Sequence, residues 1–125
     1  MDELEKLKRA KELHAEAWKD SKNMKRLSFE VAAILEDVLE QNPNNTVALT
    51  NLGAIYSDFA RYKEALALLK EAKKLNFRDY NLYHNLGVVL VNLQRDREAK
   101  KYFEIASTME ENELTFEAYI DFHAL

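Results

Sequence analysis

Asn51-Leu52-Gly53 recurs as Asn85-Leu86-Gly87, 34 positions later. The offset runs through the middle of the chain. Phe59 maps to Leu93, Arg61 to Arg95, Glu64 to Glu98 and Ala65 to Ala99. Leu69 maps to Phe103, Ala72 to Ala106 and Leu75 to Met109. A fixed period of tens of residues marks a solenoid, in which each unit buries its apolar face only against its neighbours. Such a chain offers a binding surface sooner than a catalytic pocket.

Apolar residues recur at helical spacing nearly throughout. Leu4, Leu7, Leu13, Ala17 and Trp18 predict a first helix over about 2–21, followed by a basic loop from Lys22 to Arg26. Ser28 is the candidate N-cap of a second helix carrying Val31, Ile34, Leu35, Val38 and Leu39. Asn42-Pro43-Asn44-Asn45 breaks the chain. The third helix carries Val47, Leu52, Ile55, Tyr56 and Phe59, and the fourth Ala65, Leu68, Leu69 and Ala72. After a turn at Asn76–Asp79, with Asp79 as candidate N-cap, the fifth holds Leu82, Leu86, Val89 and Leu90. The sixth holds Ala99, Phe103 and Ala106, with Asp96 near its start. A seventh is expected from about Glu113 to the end, with Phe116, Tyr119, Ile120 and Phe122. No segment alternates with period two for long, so no strand is expected.

With period and helices in hand, the chain resembles the tetratricopeptide repeat, a helix–turn–helix unit of about 34 residues. One unit reads Leu49, Leu52-Gly53, Tyr56, Ala65, Leu69 and Ala72. The next reads Tyr83, Leu86-Gly87, Leu90, Ala99, Phe103 and Ala106. The closing Pro of the pattern is replaced by Phe77 and Glu111. Val31, Leu35, Val38 and Pro43 match the second half of an earlier unit, whose first half, around His14-Ala15 and Trp18, fits only with about four inserted residues. The resemblance implies an all-α, right-handed α-solenoid of antiparallel helix pairs, with about seven helices in one domain over 1–125. Residues 1–43 would form a degenerate N-terminal repeat, 46–79 and 80–113 two regular ones, and 114–125 a capping helix. Small residues at Gly53, Gly87, Ala65 and Ala99 let paired helices approach closely. A helix-interior Gly costs about 1 kcal/mol against Ala, so two at the repeat spacing point to packing.

Two Gly, each inside a helix, exclude a Gly-rich phosphate loop, and the lack of Cys excludes disulfides and thiolate metal sites. His14, His84 and His123 have no recognised ligand spacing, and Ser57 and Ser107 lack companions that would activate a nucleophile. No catalysis, metal or cofactor is expected. Net charge is −4 and no basic cluster suits nucleic acid. No apolar run is long enough to span a bilayer. Met1–Lys11 is charged and lacks the apolar core of a signal peptide, so a cytoplasmic location is expected.

In the architecture that the resemblance implies, the first helix of each pair lines the concave face. The register places Val47, Thr50, Asn51, Ala54 and Asp58 there in one repeat, and Asn81, His84, Asn85, Val88 and Asn92 in the next. The last helix would add Thr115, Ala118, Tyr119 and Phe122, while Phe116 and Ile120 pack beneath it. Asn51 and Asn85 should stack as a ladder. An amide offers donor and acceptor together, so it can pair with an extended peptide backbone, a role groove asparagines play in several family members. The alternative is a merely solvated polar face. No Lys or Arg stands at the groove centre, which argues against a carboxylate clamp. The resulting reading is an adaptor that binds a protein or peptide partner on its concave face. The alternatives are a self-assembly unit, such as a homo-dimer or stacked array through the repeat ends, or a fragment of a longer array. The ends have complementary charge, net +2 over 1–26 and −5 over 110–125.

Overall fold

The computed structural model describes residues 1–118. Among them are six α-helices and no strand: α1 Glu3–Lys19, α2 Met24–Gln41, α3 Thr46–Asp58, α4 Tyr62–Lys74, α5 Tyr80–Asn92 and α6 Asp96–Ala106. They pack as three consecutive pairs, α1 on α2, α3 on α4 and α5 on α6. Successive pairs join through α2 with α3, α4 with α5, and α3 with α5. The core runs along these seams on fully buried Val31, Leu35, Ile55, Leu69, Leu82 and Leu86.

Local signals explain most of the starts. Asp2, Asn45 and Asp79 each cap a helix, their side chains accepting from the backbone N–H of Glu5, Ala48 and Leu82. The second helix departs from expectation. It begins at Met24, after Asn23, and Ser28 lies inside it. Met24 and Leu27 extend the apolar stripe of Val31 and Leu35 back by one turn, while Lys25 and Arg26 stay exposed on its outer side. The four residues inserted in the degenerate unit are therefore an added helical turn and not a longer loop.

The two glycines mark the closest approaches. A Cβ at Gly53 would stand 2.6 Å from Cγ of Leu69, and one at Gly87 would stand 2.5 Å from Cε1 of Phe103. Within each regular pair the turn passes through a left-handed residue, Ala60 at φ 61° and Gln94 at φ 60°, again 34 positions apart. In both, the next amide reaches back to close the helix end: Arg61 N–H to Tyr56 C=O and Arg95 N–H to Leu90 C=O.

The expected seventh helix does not begin where its pattern suggests. Residues 113–114 form a turn and 115–118 run without helical structure. Leu114 C=O, Phe116 N–H and C=O and Ala118 N–H are taken up by side chains of α3 and α5, while Thr115 N–H closes the turn on Asn112 C=O, so no helical ladder forms there. The remainder of that expected helix, including Tyr119, Ile120 and Phe122, lies outside the described residues.

Candidate functional site: an asparagine-lined groove

α3 and α5 present Asn51 and Asn85 to the segment that follows α6. Asn51 Nδ2 donates to Leu114 C=O at 2.9 Å, and its Oδ1 accepts from Phe116 N–H at 3.0 Å. Asn85 Nδ2 donates to Phe116 C=O at 3.1 Å, and its Oδ1 accepts from Ala118 N–H at 2.8 Å. Each amide thus bridges a carbonyl at i and an N–H at i+2, groups that an extended backbone turns to one edge. Both asparagines are fully buried and both ends of each amide are used.

The segment enters at the N-terminal end of α5. Tyr80 N–H donates to Glu110 C=O at 3.0 Å. Asp79 Oδ2 caps α5 through Leu82 N–H, while Oδ1 accepts from Asn112 N–H at 2.7 Å and from Thr115 Oγ1 at 3.2 Å. Burial pushes the Asp79 carboxyl above the usual range, and the Asn112 and Leu82 amides pull against that. Asn81 Nδ2 donates to Thr115 Oγ1 at 2.9 Å and to Glu111 at 3.0 Å.

α1 forms a wall of a different kind. The His14 ring stacks on the Phe116 ring, with centroids 3.8 Å apart and planes 10° apart. His14 Nε2 accepts from the Trp18 indole at 3.0 Å. Burial, aided by the charge of Lys11, lowers the His14 pKa to about 4, so the ring is neutral near pH 7. Lys11 Nζ donates to Glu113 C=O at the groove edge. His14 also lines a cleft of about 810 Å³ with Met24, Phe29, Phe59 and Arg61, so the groove opens into an apolar recess.

Of the residues the register placed on the concave face, Thr50, Asn51, Ala54, Asn81, Asn85 and Val88 are buried. Thr50 bonds its own helix at Thr46 C=O. Asp58 is exposed and borders the apolar recess. His84 is half-buried, 5.4 Å from Tyr80 ring to ring, and burial lowers its pKa while Glu117 raises it. Asn92 is half-buried, and its Oδ1 has no hydrogen-bond partner among the described residues. Thr115 and Ala118 are in the groove as occupants, not as lining. Phe116, expected beneath a capping helix, is the best-held ring of the segment at 5% exposure. Tyr119 and Phe122 lie outside the described residues. Sequence reasoning missed His14 and Lys11 as groove residues and saw Asp79 only as a cap. The one available signal was Asp79, whose second oxygen a helix cap leaves free.

Tetratricopeptide-repeat family models match residues 30–87 and 80–113. The chain belongs to the tetratricopeptide-repeat family, whose repeats generally mediate protein–protein interaction and are typically non-enzymatic. No curated protein matches the chain. Among the described residues, no helix is long and apolar enough to cross a membrane.

Proposed function

We propose that this chain is a cytoplasmic adaptor that holds an extended peptide segment of a protein partner on its concave face. One observation carries the reading: Asn51 and Asn85 each engage a carbonyl and an N–H of extended backbone at hydrogen-bond distance. Buried polar groups are costly when unpaired, so two buried amides aimed into one groove favour an occupant that supplies complementary backbone. The pairing is blind to side chains, which suits a peptide receptor.

The test is an array of synthetic nonapeptides against the 125-residue chain and its Asn51→Ala/Asn85→Ala variant, at matched helicity by circular dichroism. Peptides bound by the wild type should be lost or strongly weakened on the variant. Undiminished binding to the variant would move the site off the groove.

A further inference from the structure

Residues 110–118 occupy the groove in the manner of a ligand, and their side chains are gripped unequally. Thr115 is fully buried, its hydroxyl accepting from Asn81 and donating toward Asp79. A serine could replace it, whereas a valine would cost Asn81 and Asp79 one hydrogen bond each, leaving them only Glu111 and the Asn112 and Leu82 amides. Phe116 lies flat on His14. Glu117 is exposed. Ala118 is buried in the same apolar cluster as Ala54, Val88 and Phe116, an environment that favours a small apolar residue.

We infer that the segment 110–118 is a built-in competitor, and that the partner is an extended peptide of the same pattern (hydroxyl residue, aromatic, any residue, small residue) that binds by displacing it. The inference rests on the peptide-groove reading proposed above. One feature favours exchange over permanent closure. The segment has no internal helix or strand to melt, only the turn at 113–114, and four of its backbone bonds go to groove side chains. Closure is the resting state, because the segment follows α6 after only a few residues and its local concentration is high, on the order of millimolar for a short connection. An incoming peptide therefore sees an apparent affinity reduced by the fraction of grooves that are open. A better fit to the same four positions overcomes that reduction, because each position is already shaped for its residue class.

The experiment uses a fluorescein-labelled peptide with the sequence of residues 110–118, titrated by anisotropy into the 125-residue chain. Thr115→Val/Phe116→Ala in the protein should release the internal segment and tighten peptide binding by about tenfold or more. The peptide carrying Ala in place of Phe116 should lose about tenfold or more on that variant, while Lys in place of Glu117 should change binding by less than about twofold. Equal affinity of wild type and released variant would overturn the competition. So would equal binding of the Phe and Ala peptides. If the released variant proves unfolded by circular dichroism, hydrogen exchange on the wild type decides. Excess unlabelled peptide should accelerate exchange at Phe116 and Ala118, and unchanged exchange would overturn the proposal. If the released variant binds array peptides that lack the pattern, and does so through Asn51 and Asn85, the inference falls while the peptide-groove reading stands. Binding insensitive to both asparagines would remove both.

Discussion

The two walls of the groove hold the same segment by different means. α3 and α5 hold backbone: Asn51 and Asn85 spend four hydrogen bonds on groups every residue possesses. α1 holds a side chain: His14 stacks on one ring, and an alanine there would leave the stack empty. The four asparagine bonds are blind to side chains; His14 adds choice at one ring, and Asn81 with Asp79 adds it at Thr115. The regular repeats can afford uniformity because they are copies of one unit. The degenerate N-terminal pair is where the chain departs from its own period, and it supplies the one ring that stacks on Phe116.

The largest expected effect comes from titrating the selective wall. The folded pKa of His14, about 4, lies below its ordinary 6.5. The neutral ring's contribution is therefore complete above about pH 6.5 and drains as pH falls toward 4. The full difference is about 3 kcal/mol at most. Urea melts between pH 7 and 4.5 should show this loss, and His14→Gln should remove most of it relative to wild type. An acid slope unaffected by His14→Gln would mean that other groups govern the loss; Asp79, whose carboxyl burial pushes above the usual range, acts with the opposite sign.

The backbone wall should respond evenly. Asn51→Ala or Asn85→Ala leaves one carbonyl and one N–H of the segment without partners, at about 1–3 kcal/mol of docking free energy. Local exchange of residues 114–118 should report similar losses for the two variants. A loss confined to one of them would show that the rungs are not equivalent. The glycines behind the wall should separate instead. At Gly53 a methyl meets the branch carbon of Leu69, which is fully buried and cannot withdraw. At Gly87 it meets the edge of the half-buried Phe103 ring, which can turn. Gly53→Ala is expected to destabilise by about 1–3 kcal/mol, whereas Gly87→Ala should be close to neutral once its helix-propensity gain of about 1 kcal/mol is counted. Thermal melts check the order.

The repeats were legible because period, small residues and caps agree at several levels. The 34-residue offset placed α3 to α6, Asp79 announced the start of α5, and the register pointed to Asn51 and Asn85. Three features were not legible, each for a physical reason. Met24 to Leu27 reads as loop because Lys25 and Arg26 dominate its composition, although its apolar residues continue the stripe of α2. Ala60 and Gln94 adopt a left-handed conformation without the glycine that ordinarily signals it. The segment after α6 has aromatics at helical spacing, so its pattern reads as a cap. Its actual partners are groove side chains up to 65 positions away, which no local pattern encodes.

The smallest expected effect concerns Lys11, whose ammonium meets Glu113 C=O at the rim. Lys11→Met should weaken docking by about 0.5 kcal/mol or less, because a rim contact is solvated. It should also let His14 titrate slightly higher, since a nearby positive charge has been removed. Peptide binding should depend weakly on salt for the same reason, the groove centre being held by neutral amides.

The central claim is that groove asparagines hold an extended backbone, and amide hydrogen exchange measures it residue by residue. In the wild-type protein, Phe116 and Ala118 should be protected well above free-peptide rates. Both should lose that protection in Asn51→Ala/Asn85→Ala while the amides of α3 and α5 keep theirs. Free-peptide exchange at Phe116 and Ala118 in the wild type, or protection unchanged in the double variant, would contradict the account.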